Sequence, residues 1–236
     1  MLLIVFVLLA FALGSVPFSF IIGKRVKGID LRQHGSGNLG ATNVFRTLGA
    51  TWGIICLVLD MGKGAGAVAL MTLLVNNLPE GQATPFHITP DLFRIFAGVA
   101  ASLGHTYSPF VGFHGGKGVA TTGGAFWVLE PFALMTTLVA FGAVFATTRI
   151  VSLASITAAS VLPLAVFFFE INSKPVSKTI IIFTTLICGF VLFKHRSNIA
   201  RLRDGTEGQI TAGDGQTSLD AESPTPDVQT PDVEEK

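Results

Sequence analysis

Residues 119–148, VATTGGAFWVLEPFALMTTLVAFGAVFATT, form an apolar run of 30 residues interrupted once, at Glu130-Pro131. As one helix this run is about 45 Å long at 1.5 Å per residue, against a hydrocarbon core of about 30 Å. It would also hold a carboxylate beside a helix-breaking proline at mid-bilayer. A turn at Glu130-Pro131 therefore divides the run into two helices. The first of them, 119–129, spans about 17 Å, which leaves the turn short of the far membrane surface.

Working outward, apolar stretches lie at 1–23, 49–75, 93–113, 151–169 and 179–193. With the divided run they make seven transmembrane helices, an all-α polytopic membrane protein. The first stretch has no basic residues ahead of it, and Lys24, Arg25 and Lys27 follow it. It reads as a retained span with its N-terminus outside rather than a cleaved signal. Seven crossings then put Lys24 to Arg46, Lys117, Arg149 and the Lys194–Arg203 cluster on the cytoplasmic side, as positive-inside orientation requires. Six would strand the last cluster outside.

Composition agrees. Half of the residues are hydrophobic and 13% charged, with mean hydropathy +0.61 and 20 Phe against one Tyr. The net charge of +1 conceals a body, 1–203, that is strongly basic and a tail, 204–236, that is strongly acidic. A soluble or nucleic-acid-binding protein is excluded. The tail is rich in Gly, Thr, Pro and carboxylates with almost nothing to bury, and is expected to be disordered in the cytoplasm. Truncation after Gly205 is then expected to leave activity unchanged. Cys56 and Cys188 lie in apolar runs without metal-ligand spacing and read as inert thiols.

In this topology five unusual polar segments meet on the cytoplasmic face. In HGSGNLGATNVFRTLG, 34–49, the glycines spell G-x-G-x-x-G, but the stretch lies between membrane helices and has no βαβ context. What remains is a loop whose backbone can approach an anion, with Ser36, Asn38, Thr42 and Asn43 as neutral donors and Arg46 as a bidentate one. A flexible Gly-rich loop with interfacial arginine is the bland alternative. In DMGKGAGA, Asp60 and Lys63 share a helical face at membrane depth. A structural ion pair and a substrate contact are equally good readings of them, and Gly62, Gly64 and Gly66 suit close helix packing. In GHTYSPFVGFHGGKGVATTGG, Gly118 stands where a Walker A loop needs Ser or Thr, so a nucleotide loop is rejected. Gly115, Gly116 and Gly118 around Lys117 still suit a backbone nest for a second anion. His105 and His114 lack a third ligand, and no metal site is expected. Ser152 and Ser155 sit one turn apart at a span start, where they can cap the helix or line a site. KHRSNIARL presents His195 and Asn198 on one face, among basic residues suited to anchoring at anionic lipid.

These residues resemble the acyl-phosphate-dependent glycerol-3-phosphate acyltransferases of bacteria, the PlsY type. The resemblance rests on GSGNLGATNVFR at 35–46, DMGKG at 60–64, GHTYSPFVGFHGGKGVAT at 104–121 and HRSNIARLRDGTE at 195–207, in this order. It implies transfer of a fatty acyl group from acyl phosphate to the 1-hydroxyl of sn-glycerol 3-phosphate, giving lysophosphatidic acid and phosphate. No cofactor is implied, since the donor is already activated. The implied setting is the bacterial inner membrane, and the protein is expected to be a monomer. Carried to this chain, the catalytic set is Ser36, Lys117, His195 and Asn198. Substrate contacts extend to Asn38, Thr42, Asn43, Arg46, Asp60, Lys63, His105, Gly115, Gly116 and Ser152. The proton of the attacking hydroxyl goes to His195 or to a substrate phosphate, which the residues leave open. A transporter of organic anions and a lipid-binding scaffold are the other classes, though no inverted repeat supports the first.

Overall fold

The computed structural model describes residues 2–77, 90–173 and 176–211, all helix and loop with no strand among them. Most of the acidic tail lies outside the described residues. The helices are α1 (Leu2–Ser15), α2 (Phe18–Lys27), α3 (Ala41–Leu48), α4 (Ala50–Asn76), α5 (Pro90–Thr106), α6 (Val119–Leu129), α7 (Pro131–Thr148), α8 (Val151–Ile171), α9 (Lys178–Lys194) and α10 (Arg196–Arg203). Four stretches are long and apolar enough to cross a membrane: Ile4–Lys27, Ala50–Asn76, Pro131–Thr148 and Val151–Ile171. α9 with α10, bent by 57° between them, makes a fifth. α5 and α6 are shorter, at 17 and 11 residues.

The break expected at Glu130-Pro131 is there. Glu130 leaves helical geometry, at φ −143° and ψ 71°, and Pro131 opens α7, where its missing N–H costs no hydrogen bond. A second break was not anticipated. The first apolar stretch is interrupted at Val16-Pro17, because Pro17 cannot donate to the helix. The carbonyls freed there find side-chain donors: Ser108 Oγ donates to Ser15 O at 2.5 Å, and Lys63 Nζ to Val16 O at 2.9 Å. In a bilayer that satisfaction has to be internal.

Small residues let the helices approach. A Cβ on Gly64 would overlap the Thr121 carbonyl oxygen, and one on Gly124 the Met61 carbonyl oxygen, so α4 and α6 touch backbone to backbone. Gly62 and Gly66 make no such contact; a Cβ there meets nothing, or only Leu13 at 3.8 Å. At one end of the bundle Phe126, Leu134, Leu162, Val166 and Ile187 form a solid cluster. At the other, Ile22, Leu31, Leu39, Val44 and Val111 support the polar loops. That second end carries α3 and α10, the N-termini of α4, α6 and α8, and the C-termini of α5, α7 and α9.

Candidate active site

A cavity of about 1060 Å³ opens between these helix ends and runs down between α4, α6, α7, α8 and α9. Its upper part is polar. The first segment enters through α3 and the loop before it. Asn43 is buried and staples that loop: its Nδ2 donates to Leu31 O at 3.0 Å and His34 O at 3.1 Å, and its Oδ1 accepts from Ser36 N at 2.9 Å. Gly35 sits at φ +58° against the same amide, where a Cβ would overlap Asn43 Oδ1. Ser36, Asn38, Thr42, Asn43 and Arg46 thereby line the cavity.

Asp60 and His105 form part of the wall. The Asp60 carboxylate meets Lys63 Nζ at 2.9 Å and His105 Nδ1 at 3.5 Å. Lys63 itself is off the cavity, its side chain 1% exposed between Asp60, Val16 O and the Phe18 ring, with Nζ 5.5 Å from the ring centroid. Lys63 thus sits where a structural partner would, while Asp60 itself is on the cavity wall.

The Gly115–Gly118 loop lies flat on the end of α5. Gly115 N donates to Thr106 O at 3.0 Å and Gly116 N to His105 O at 3.2 Å. A Cβ on Gly116 would overlap His105 Nε2 and sit 2.6 Å from Leu39 O. The nest expected here has therefore committed its first two amides elsewhere, and neither Gly115 nor Gly116 lines the cavity. The loop instead delivers Lys117, whose Nζ donates to Asn198 Oδ1. Burial pulls the Lys117 ammonium down to about 8; the Glu207 carboxylate opposes this, while Arg201, Arg46 and Lys194 add to it.

Ser152 and Asn198 converge on Glu207, the last residue of the 195–207 motif and one that the sequence alone does not assign to the site. Ser152 Oγ and Asn198 Nδ2 each donate to Glu207 Oε1 at 2.7 Å, and Arg201 Nε donates to Oε2 at 2.6 Å. Burial raises the Glu207 pKa, but these three donors outweigh it and hold the carboxyl below its ordinary value. The residues after it continue across the mouth: Arg46 Nη2 donates to Gly208 O at 2.8 Å and Ile210 N to Arg149 O at 2.9 Å. The chain beyond Arg203 is thus tied to the site as far as Ile210. A carboxylate four residues past a basic helix is a weak signal, and only this long-range closure reveals its partners.

His195 is buried at the end of α9, with Nδ1 2.8 Å from Val191 O. A carbonyl only accepts, so Nδ1 carries the proton and the neutral ring keeps its lone pair on Nε2. Burial lowers its pKa to about 4, opposed by the Val191 bond and reinforced by Lys117. Below this cup the cavity is apolar, with Met61, Leu134, Leu138, Phe141 and Leu162 on its walls. Among the described residues no group of three or more His, Cys, Asp or Glu is arranged to hold a metal. A cationic, hydrogen-bonding cup continuous with an apolar groove suits a substrate that is a phosphate at one end and a hydrocarbon at the other.

The sequence profile of the glycerol-3-phosphate acyltransferases matches residues 4–205. The chain is 43% identical over 203 residues to the glycerol-3-phosphate acyltransferase of Exiguobacterium sibiricum, an alignment covering 86% of this chain and 91% of that one. It is 38% identical over 210 residues to that of Bacillus subtilis, covering 89% and 98%. Among solved structures it resembles PlsY (YgiH), an integral membrane glycerol 3-phosphate acyltransferase. The glycerol 3-phosphate form matches with a TM-score of 0.76 and 34% identity, over 89% of this chain and 96% of that one. The lysophosphatidic acid form matches with a TM-score of 0.73 and 33% identity, over 91% and 98%.

Proposed function

The chain belongs to the glycerol-3-phosphate acyltransferase family, and from that premise we propose that it transfers a fatty acyl group from acyl phosphate to the 1-hydroxyl of sn-glycerol 3-phosphate, releasing lysophosphatidic acid and phosphate. As an acyltransferase for glycerol 3-phosphate and a multi-pass membrane protein, it serves phospholipid synthesis. The observation that carries the finer reading is the junction of the Lys117–Arg46–Arg201 cup with the apolar groove inside one cavity. Both proposed substrates carry phosphate, and one carries a chain.

Arg46 and Ser36 hold the glycerol 3-phosphate, with Asn38 and Thr42 beside them and Asn43 keeping the loop in shape. Lys117 meets the phosphate of the acyl donor and the charge that grows as it departs, and Ser152 and Asn198 complete the cup. Attack is direct: the glycerol hydroxyl oxygen forms a bond to the acyl carbon and the carbon–phosphate oxygen bond breaks. Developing negative charge is met by donors already in place. His195 accepts a hydrogen bond from the attacking hydroxyl at Nε2. With Nδ1 committed to Val191 O, the ring orients the hydroxyl through Nε2, and the proton passes to a phosphate oxygen of the substrates.

In the membrane we read seven crossings: α1 with α2 as one bent span, then α4 to α9, with the N-terminus outside and the cup facing the cytoplasm across the bacterial inner membrane. Lys24, Arg25, Arg149, Arg196, Arg201 and Arg203 at the cup end support that orientation. We place the acyltransferase unit at 1–203, with the segment as far as Ile210 tied against its site, and read the protein as a monomer. Phosphate release from palmitoyl phosphate and glycerol 3-phosphate by purified protein, lost in Lys117→Ala and absent with palmitoyl-CoA, tests the assignment. Turnover with CoA, or Lys117-independent release, would overturn the donor.

A further inference from the structure

Gly123 is a glycine that the fold does not require. It lies inside α6, where glycine is disfavoured relative to alanine, and its backbone is helical. A Cβ placed on it meets only Leu134 Cδ1, at 4.0 Å, which is ordinary contact. Its neighbour Gly124 differs, since a Cβ there would overlap the Met61 backbone. What distinguishes Gly123 is that it lines the cavity. The side chain omitted there leaves space in the groove.

That space opens on the side of the groove next to Leu134, four residues and about 6 Å into α6 from its cup end, above the groove's closed end. Leu134, Leu162 and Cys188 line the cavity and also belong to the solid cluster with Phe126, Val166 and Ile187. They are 2%, 4% and 3% exposed. Residues that face a cavity on one side and a close-packed cluster on the other form an end wall, because packed interiors do not yield without cost. Leu162 is eleven residues along α8 from Val151, about 17 Å from the cup end. Leu134 is fourteen residues before the end of α7, about 21 Å.

We propose that Gly123, beside Leu134, and the wall of Leu134, Leu162 and Cys188 together set the acyl-chain length this enzyme accepts: the missing side chain lets the chain pass down the groove, and the wall stops it. The proposal rests on the reading of this cavity as the acyl site. A chain that left the groove sideways into lipid would be indifferent to all four residues.

The test compares kcat/KM for octanoyl, dodecanoyl, hexadecanoyl and octadecanoyl phosphate in wild type, Gly123→Ala, Gly123→Leu and Leu162→Ala. Each methylene denied apolar surroundings costs a factor of about four. Gly123→Leu should therefore lower the hexadecanoyl-to-octanoyl ratio at least about tenfold, with Gly123→Ala between it and wild type, and Leu162→Ala should raise octadecanoyl relative to hexadecanoyl. A misfolded variant loses all donors alike and leaves their ratio to Gly123→Ala, whose added methyl fits the space. Independently of the donor, 1-acylglycerol 3-phosphates of the same chain lengths are bound to wild type, and maleimide labelling of Cys188 is followed by peptide mass spectrometry. Long chains should protect Cys188 and octanoyl should not, with Cys56, off the cavity, as internal control. Unchanged donor ratios in Gly123→Leu and Leu162→Ala, or protection of Cys188 that ignores chain length, would overturn the proposal. Length-dependent protection in a protein that turns over no acyl phosphate would overturn the donor assignment instead and leave the wall standing.

Discussion

Replacing Lys63 by methionine isolates the strongest electrostatic commitment in the membrane-embedded body. Lys63 Nζ lies 2.9 Å from the Asp60 carboxylate, and the two side chains are 1% and 2% exposed. At an effective dielectric of ~20 the attraction at that distance is about 6 kcal/mol, most of it offset by desolvation of both ions. Removing Lys63 leaves the Asp60 carboxylate with His105 Nδ1, 3.5 Å away, as its remaining ionisable partner, so the loss is at most about 3–5 kcal/mol. Lys63→Met also leaves Val16 O, exposed by the Pro17 break, without its donor, a further ~1–3 kcal/mol. Asp60→Asn with Lys63→Met removes both charges, so only the second cost remains and most of the loss should return. Loss of the helical circular dichroism during a thermal ramp in detergent reports unfolding. The expected order of unfolding temperatures is wild type, double variant, single variant. A Lys63→Met protein as stable as wild type, or a double variant less stable than the single, would refute the ion pair as a structural element and return Lys63 to substrate binding.

Lys117 should set the alkaline limb of kcat/KM: with its pKa near 8, the charged form that holds phosphate is lost above that pH, about tenfold per unit. A bound phosphate dianion favours the ammonium, so the limb in kcat should fall at higher pH. The sign on stability is opposite: a lysine lowered from 10.5 to about 8 penalises the folded state below pH 8 and relieves it as pH rises toward 10.5. The alkaline loss of rate is therefore not unfolding driven by this group, and circular dichroism at pH 9 checks that. Truncation after Thr211 should leave activity intact, whereas truncation after Gly205 removes Glu207 and the Gly208 contact with Arg46, and phosphate release should fall at least about tenfold. Glu207→Gln keeps an acceptor for Ser152 and Asn198 but loses the charge at Arg201, and should fall between wild type and Glu207→Ala in the same assay. His195→Gln, whose amide oxygen can still accept from the hydroxyl, should keep more kcat than His195→Ala; equal loss in both would make His195 the proton's destination.

The parts of the fold that were legible are those where one residue decides a backbone. Glu130-Pro131 ends α6 because proline has no N–H to continue it and a carboxylate resists mid-bilayer burial. The Pro17 break has the same chemistry, yet the apolar residues around it conceal it, and without the fold nothing indicates that Ser108 and Lys63 stand ready to satisfy the freed carbonyls. The candidate site follows the same division. Ser36, Arg46, Lys117, Ser152, His195 and Asn198 come to one cavity because alternating helices bring their ends together. Gly115 and Gly116 keep their place in the loop but turn their amides back onto α5, a direction that depends on carbonyls about ten residues earlier. Gly62, Gly64 and Gly66 look alike in sequence, and only Gly64 meets another helix's backbone.

Glu207 shows why the cup was the harder half. Arg46, Lys117 and Arg201 arrive from α3, the α6 loop and α10, and in a partly desolvated site their mutual repulsion opposes assembly. Burial lowers the Lys117 pKa most, and the repulsion of Arg201 and Arg46 adds to it. One carboxylate, reached by hydrogen bonds from Ser152, Asn198 and Arg201, lets the cations gather before any phosphate is present. The same carboxylate repels an incoming dianion, and the bonds from Ser152, Asn198 and Arg201 are what hold its charge on the segment after α10, among the cations. This predicts a separable signature. Glu207→Gln should weaken the empty protein's thermal stability while glycerol 3-phosphate restores more of it than in wild type, because the dianion replaces the missing charge. A ligand-induced shift in unfolding temperature no larger than wild type's would show that Glu207 does not balance these cations.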